Sequence, residues 1–287
     1  MKHIILHSIE HGITDSLKIL PFLFLTYLFM EYLEKRTGKN TNQWLKKSGK
    51  TGIILGAVVG IIPQCGMSAV ASNLYAGRII TPGTLIAIFL STSDEMLPIL
   101  ISNTESFGMI AFILLLKVFI AVLGGGLVDY FWSKRKHSDE KEHRIHEFCE
   151  HEHCHCEDGI MKSAIRHTLR IFVYVLIVTV VLNIGIEVVG EEALAEFILN
   201  RAMLGPVLAG IIGLIPNCVS SVVITRMFLA GFMSFGTMMA GLLVGAGVGI
   251  IVLLRVNEDK RESVILIGVL YILGVISGIL INLLSNL

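Results

Sequence analysis

From Phe107 to Trp132 the chain is apolar apart from Lys117 and Asp129. About 18 or more such residues suffice to cross a hydrocarbon core of about 30 Å as a helix, which satisfies every main-chain polar group within the segment. Comparable runs cover Leu17 to Leu33, Thr168 to Val189, Met233 to Leu254 and Val264 to Leu284, and two interrupted runs, 52 to 77 and 82 to 101, fill the gaps. Little length remains for a soluble domain, so the pattern predicts an all-α polytopic membrane protein. Composition agrees, with 54% of residues hydrophobic and 16% charged, against about 25% charged in soluble domains.

Basic and acidic residues number 23 each, so the formal net charge is zero and no global basic field points to a nucleic-acid partner. The chain start mixes Lys2 with His7, Glu10, His11 and Asp15 and shows no small-residue cleavage site, so no removable signal peptide is expected. Three of the five cysteines crowd into one hydrophilic loop with histidines. That grouping reads as metal ligands or reduced thiols rather than as a disulfide framework.

The interrupted runs contain a near-duplication. "GIIPQCGMSAV" at 60–70 and "GLIPNCVSSVV" at 213–223 break apolar sequence in the same way. Sliding the chain on itself by about 152 residues also sets "SLKIL" at 16–20 against "TLRIF" at 168–172, and "GGGLV" at 124–128 near "VISGI" at 275–279. Each half is therefore expected to hold three transmembrane helices plus one broken or re-entrant hairpin, about ten helical segments in all. Residues 1–132 form the first repeat, 133–162 a hydrophilic loop, and 163–287 the second repeat.

Orientation follows from charge, because cytoplasmic loops are rich in Lys and Arg near helix ends. Lys35, Arg36, Lys39, Lys46, Lys47 and Lys50 place the linker after the first helix inside, and Lys134, Arg135, Lys136, Lys162 and Arg166 do the same for the central loop. Both can be inside only if the broken segment between them returns to its own side. In the second half Glu187, Glu191, Glu192 and Glu196 against Arg201 read as outside, whereas Arg255, Lys260 and Arg261 read as inside. The halves are thus expected to form an inverted repeat, an architecture of secondary transporters whose broken helices meet near the bilayer midplane, with both termini outside. A kinked full span is the alternative, since membrane helices tolerate proline.

Proline removes a main-chain donor, leaving carbonyls free around Gly60 to Pro63 and Gly213 to Pro216. Beside them stand Gln64, Cys65 and Ser68 in one copy and Asn217, Cys218, Ser220 and Ser221 in the other. Thiolates favour zinc, cuprous copper and other thiophilic species, and amide and hydroxyl oxygens favour harder ions such as manganese, so the mixed set does not choose. Small residues at close helix contacts would account for the same cysteines and serines without a ligand. In "STSDEMLP" at 91–98, Asp94 and Glu95 interrupt an apolar span, and intramembrane carboxylates are costly unless they face a cavity or partner. Asp94 is expected to be a cation ligand or proton carrier, with Ser91 and Ser93 nearby and Glu95 about 100° away on the helix; with a shorter span, both carboxylates are interfacial instead. Lys117, mid-span, is a partner for such a carboxylate or a substrate-binding group. Asp129 and Glu31 are expected to be solvated interfacial charges.

The stretch 137–159 carries six histidines and three cysteines, His137, His143, His146, His151, His153, His155, Cys149, Cys154 and Cys156. Imidazole and thiolate suit zinc and its neighbours, and irregular spacing favours a flexible cytoplasmic metal collector or sensor over a rigid site. His3, His7 and His11 recur at helical spacing, as metal ligands or as one face of an interfacial helix.

The motifs "PQCG", "PNC" and "TSDE", with the His-rich loop, resemble the ten-transmembrane heavy-metal exporter family, described as arsenic-efflux-like or as manganese transporters. The resemblance covers nearly the whole chain. It implies export of a metal or metalloid across the bacterial plasma membrane. The ion is then substrate, with the bilayer as the other partner, no cofactor required and homo-oligomerisation left open. No GxxxxGK[ST] loop is present for ATP-driven transport, and no HExxH or GxSxG motif for an intramembrane enzyme. A membrane metal sensor acting through the loop, or a carrier of another solute, is the competing reading.

Overall fold

The computed structural model describes residues 20–21, 24–25, 28, 51–62, 65–93, 96–103, 107–135, 160–189 and 204–285. Every regular element among the described residues is helical. A helical stretch at 51–59 precedes α1 (Cys65–Ala76), α2 (Pro82–Ser91), α3 (Met96–Ser102) and α4 (Phe107–Arg135). Then follow α5 (Ile160–Val189), α6 (Gly205–Gly213), α7 (Cys218–Leu229), α8 (Phe235–Val244), α9 (Val248–Val256) and α10 (Lys260–Ser285). Among the described residues, four stretches are long and apolar enough to cross a membrane: Pro82–Ser102, Phe107–Trp132, Phe235–Val256 and Lys260–Ser285. The outer faces of α4 and α10 expose Phe112, Leu115, Phe119, Ile272 and Leu280. Such a surface suits hydrocarbon and not water.

Cys218, Phe235 and Lys260 open α7, α8 and α10, each 153 residues after Cys65, Pro82 and Phe107, which open α1, α2 and α4. The repetition reaches individual caps. Thr81 caps α2 by accepting from the Thr84 amide, and Ser234 caps α8 by accepting from the Thr237 amide, the roles side-chain oxygens play at helix starts. At the same place Gly83 N donates to Asp129 Oδ1 at 2.6 Å and Gly236 N donates to Asn282 Oδ1 at 2.9 Å. A Cβ on Gly125 would lie 2.5 Å from Gly83 O, and one on Gly278 would lie 2.5 Å from Gly236 O. Glycine is what lets α4 lie on α2 and α10 on α8 at that separation.

The stretch 51–60 runs alongside α2 in the same direction. Ile53 meets Gly125 near Gly83, Gly56 meets Thr84 and Ile88, and Gly60 meets Ile88 and Ser91. Because α1 starts beyond Gly60 and leads into Pro82, α1 runs back along the length that 51–60 travels. The second half repeats this path: Gly205 meets Thr237, Ala209 and Gly213 meet Gly241, and α7 returns to the start of α8. Packing is then exchanged between halves, with α1 against α9 and α7 against α3.

Two expectations need correction. Met233 to Leu254, expected as one unbroken span, is parted into α8 and α9 at Gly245–Gly247, with Gly247 at φ 52°. That conformation is open to glycine and unfavourable for other residues. Asp129 is no solvated interfacial charge. It is partly buried and also accepts from Thr81 Oγ1 at 2.7 Å, tying the α2 start to α4.

Candidate functional site

Breaks in both halves converge on one polar region inside the apolar core. Thr92 and Ser93 follow α2, Gly245 follows α8, Ser220 and Ser221 lie in the first turn of α7, and all of them line one cleft with Lys117 and Met96. Lys117 projects from the middle of α4 and is 0% exposed. Its Nζ donates to Thr92 O and, at 3.0 Å, to Leu242 O. Those carbonyls stand at the C-terminal ends of α2 and α8, where the helix dipoles are negative. The ammonium thus bridges the two halves at their broken helices. A buried charge is tolerable only with such partners.

The hydroxyls around it are satisfied locally. Ser91 Oγ donates to Ile88 O at 3.1 Å and Ser93 Oγ to Ser91 O at 3.1 Å. Ser220 Oγ donates to Asn217 O and Ser221 Oγ to Cys218 O, both at 2.8 Å. A hydroxyl that donates keeps its lone pairs as acceptors. Asn217 caps α7, its side chain accepting from the Val219 amide, and Cys218 opens that helix, 8% exposed.

Of the site residues read from sequence, Ser93, Ser220, Ser221 and Lys117 are brought together in the cleft, with Ser91, Asn217 and Cys218 one turn or less away along their own elements. Ser68 is not among the residues that line the cleft and packs on Gly249 of α9. Cys65 begins α1, as Cys218 begins α7. Gln64, Asp94 and Glu95 lie outside the described residues, as do Glu31, His3, His7, His11 and the whole of 137–159, with His143, His146, Cys149, His151, His153, Cys154, His155 and Cys156. Among the described residues no group of three or more His, Cys, Asp or Glu side chains converges.

Sequence reading missed Thr92 and Leu242 as parts of the site, because they contribute main-chain carbonyls rather than reactive side chains. The repeat itself was the available signal, since Thr92 and Gly245 stand 153 residues apart at equivalent breaks.

Spans long enough for a bilayer, an apolar exterior and a polar cleft walled by broken helices define a multi-pass helical membrane protein. The chain matches the family described as "Putative, 10TM heavy-metal exporter" over residues 2–190 and 160–286. It belongs to that family, a family of transporters. No curated protein and no solved structure matches the chain.

Proposed function

We propose that the protein is a secondary active exporter of a transition-metal or metalloid ion, with protons as coupling ion, in the bacterial plasma membrane. The observation that carries this reading is the convergence of both halves' broken helices on a buried polar cleft around Lys117, in a chain belonging to a heavy-metal exporter family. Discontinuous helices expose main-chain groups and hydroxyls to a cargo while apolar surroundings exclude water. The doubled-back segments act as re-entrant hairpins entering from opposite faces, which makes the halves an inverted repeat with a cytoplasmic central loop and external termini. Cys65 and Cys218 supply soft ligands at the hairpin tips, Gln64, Asn217 and the serines supply oxygen, and Asp94 supplies charge. The ammonium of Lys117 raises the cost of a cation in the cleft, so anionic ligands, Asp94 and cysteine thiolates, must offset it. The loop at 137–159 collects metal on the cytoplasmic side.

The test is flux into liposomes of manganese, zinc, cobalt, iron or arsenite, with and without a pH gradient, comparing wild type with Cys65→Ser/Cys218→Ser and with Asp94→Asn. Flux of one species that both changes abolish is the expected result. Absence of flux for the whole panel, with metal still held by the loop, would remove the exporter reading.

A further inference from the structure

The two interfaces between the halves differ although the halves repeat. At the first, Ser72 Oγ donates to Gly249 O at 2.7 Å as well as to Ser68 O at 2.9 Å. A Cβ on Gly249 would stand 2.9 Å from the Ser68 main chain. Where this interface ends, Arg78 Nη1 and Nη2 donate to Glu262 Oε1 and Oε2 at 3.1 and 2.8 Å. The guanidinium also stacks over Tyr75, 5.3 Å from the ring centroid. Arg78 holds φ 55°, a conformation taken by a glycine, Gly231 at φ 77°, at the equivalent turn of the other half. A two-pronged, partly buried ion pair is less screened than an exposed one.

Among the described residues, the second interface shows no counterpart of the Ser72–Gly249 hydrogen bond or of the Arg78–Glu262 pair. Thr225, 153 residues after Ser72, donates to Ser221 O of its own helix at 2.7 Å. Met96 occupies the place of Gly249, and Gly231 and Met109 the places of Arg78 and Glu262. The polar cleft lies here, with Met96 and Ser221 in its wall.

We infer that the Arg78–Glu262 pair is a latch that closes one face of the molecule, and that the α1–α9 interface must part for cargo in the cleft to reach that face. The inference rests on the transport reading for its cargo but not for its geometry. By the positive-inside rule, the latched face is the cytoplasmic one, since Arg78 ends the first hairpin and Glu262 follows Lys260 and Arg261.

Hydrogen exchange on the full-length protein in nanodiscs tests the latch without cargo. Arg78→Ala and Glu262→Gln should each raise amide exchange across Ala69–Ala76 and Gly249–Val256 by roughly tenfold, leave α8 and the part of α10 beyond its first turn unchanged, and be reversed in Arg78→Glu/Glu262→Arg. Unchanged exchange in α1 and α9 overturns the inference. In oriented liposomes a latch predicts that the single substitutions lower the apparent KM of cargo offered from the latched face and raise it from the other, because weakening a gate shifts the population between states. Equal movement of both KM values, the signature of general loosening, also overturns it. An exchange response without flux of any panel member supports the latch and rejects the exporter reading.

Discussion

Lys117 shows how one residue joins what sequence separates. Sequence reading offered it as partner of a carboxylate or as a substrate group, and the fold places its ammonium on two main-chain carbonyls from different halves. Lys117→Met should leave both acceptors unpaired in an apolar core and lower stability by about 1–3 kcal/mol, measured by thermal unfolding in detergent. An unfolding midpoint unchanged from wild type would show that the bridge contributes nothing. Asp129 comes with an internal control, because Asn282 fills the same place with a neutral amide. Asp129→Asn should therefore keep wild-type stability, while Asp129→Ala should lose about 1 kcal/mol with the α2 cap. Equal losses from both substitutions would mean that the negative charge, and not the acceptor, holds the cap.

Among elements, helix breaks and helix contacts obey different rules. The Pro-x-Cys breaks were legible because a proline within an apolar run disrupts the helix through its own ring and missing donor, whatever packs around it. The break between α8 and α9 was not, since "VGAGVG" also reads as close-packing glycine. Gly249 decides how near α1 approaches α9, and the space its side chain would fill is occupied by Ser68. Gly249→Val should destabilise the protein by about 1–3 kcal/mol through overpacking. Gly268→Ala, with nothing within 4 Å of the added methyl, should be neutral or slightly stabilising in denaturation midpoint, as alanine favours the helix. If both glycine changes cost the same, packing against α1 is not the cause.

For the whole molecule, the proposed export reading assigns transport to the repeat and metal collection to the loop. Deleting 137–159 should leave flux in liposomes intact at saturating metal while reducing metal bound per protein, measured by elemental analysis. Loss of flux on deletion would favour the sensor reading, in which the loop is the active part. The helical membrane class and the duplicated order of segments could be read from sequence because lipid forces local satisfaction of the backbone. The cleft could not, because it forms where residues far apart in the chain meet, as Lys117 and Leu242 do, 125 residues apart.

By itself, the sequence determined that the chain is a helical membrane protein of two similar halves, with polar breaks inside apolar runs, because hydropathy and proline act through neighbours in the chain. Only the tertiary structure decided which breaks share a cleft, that Ser68 packs on Gly249 while Ser220 and Ser221 line the cleft, and that Arg78 reaches Glu262. Those outcomes follow from how closely helices of different halves approach, and that distance is set by pairs such as Ser68 with Gly249 that no local pattern links.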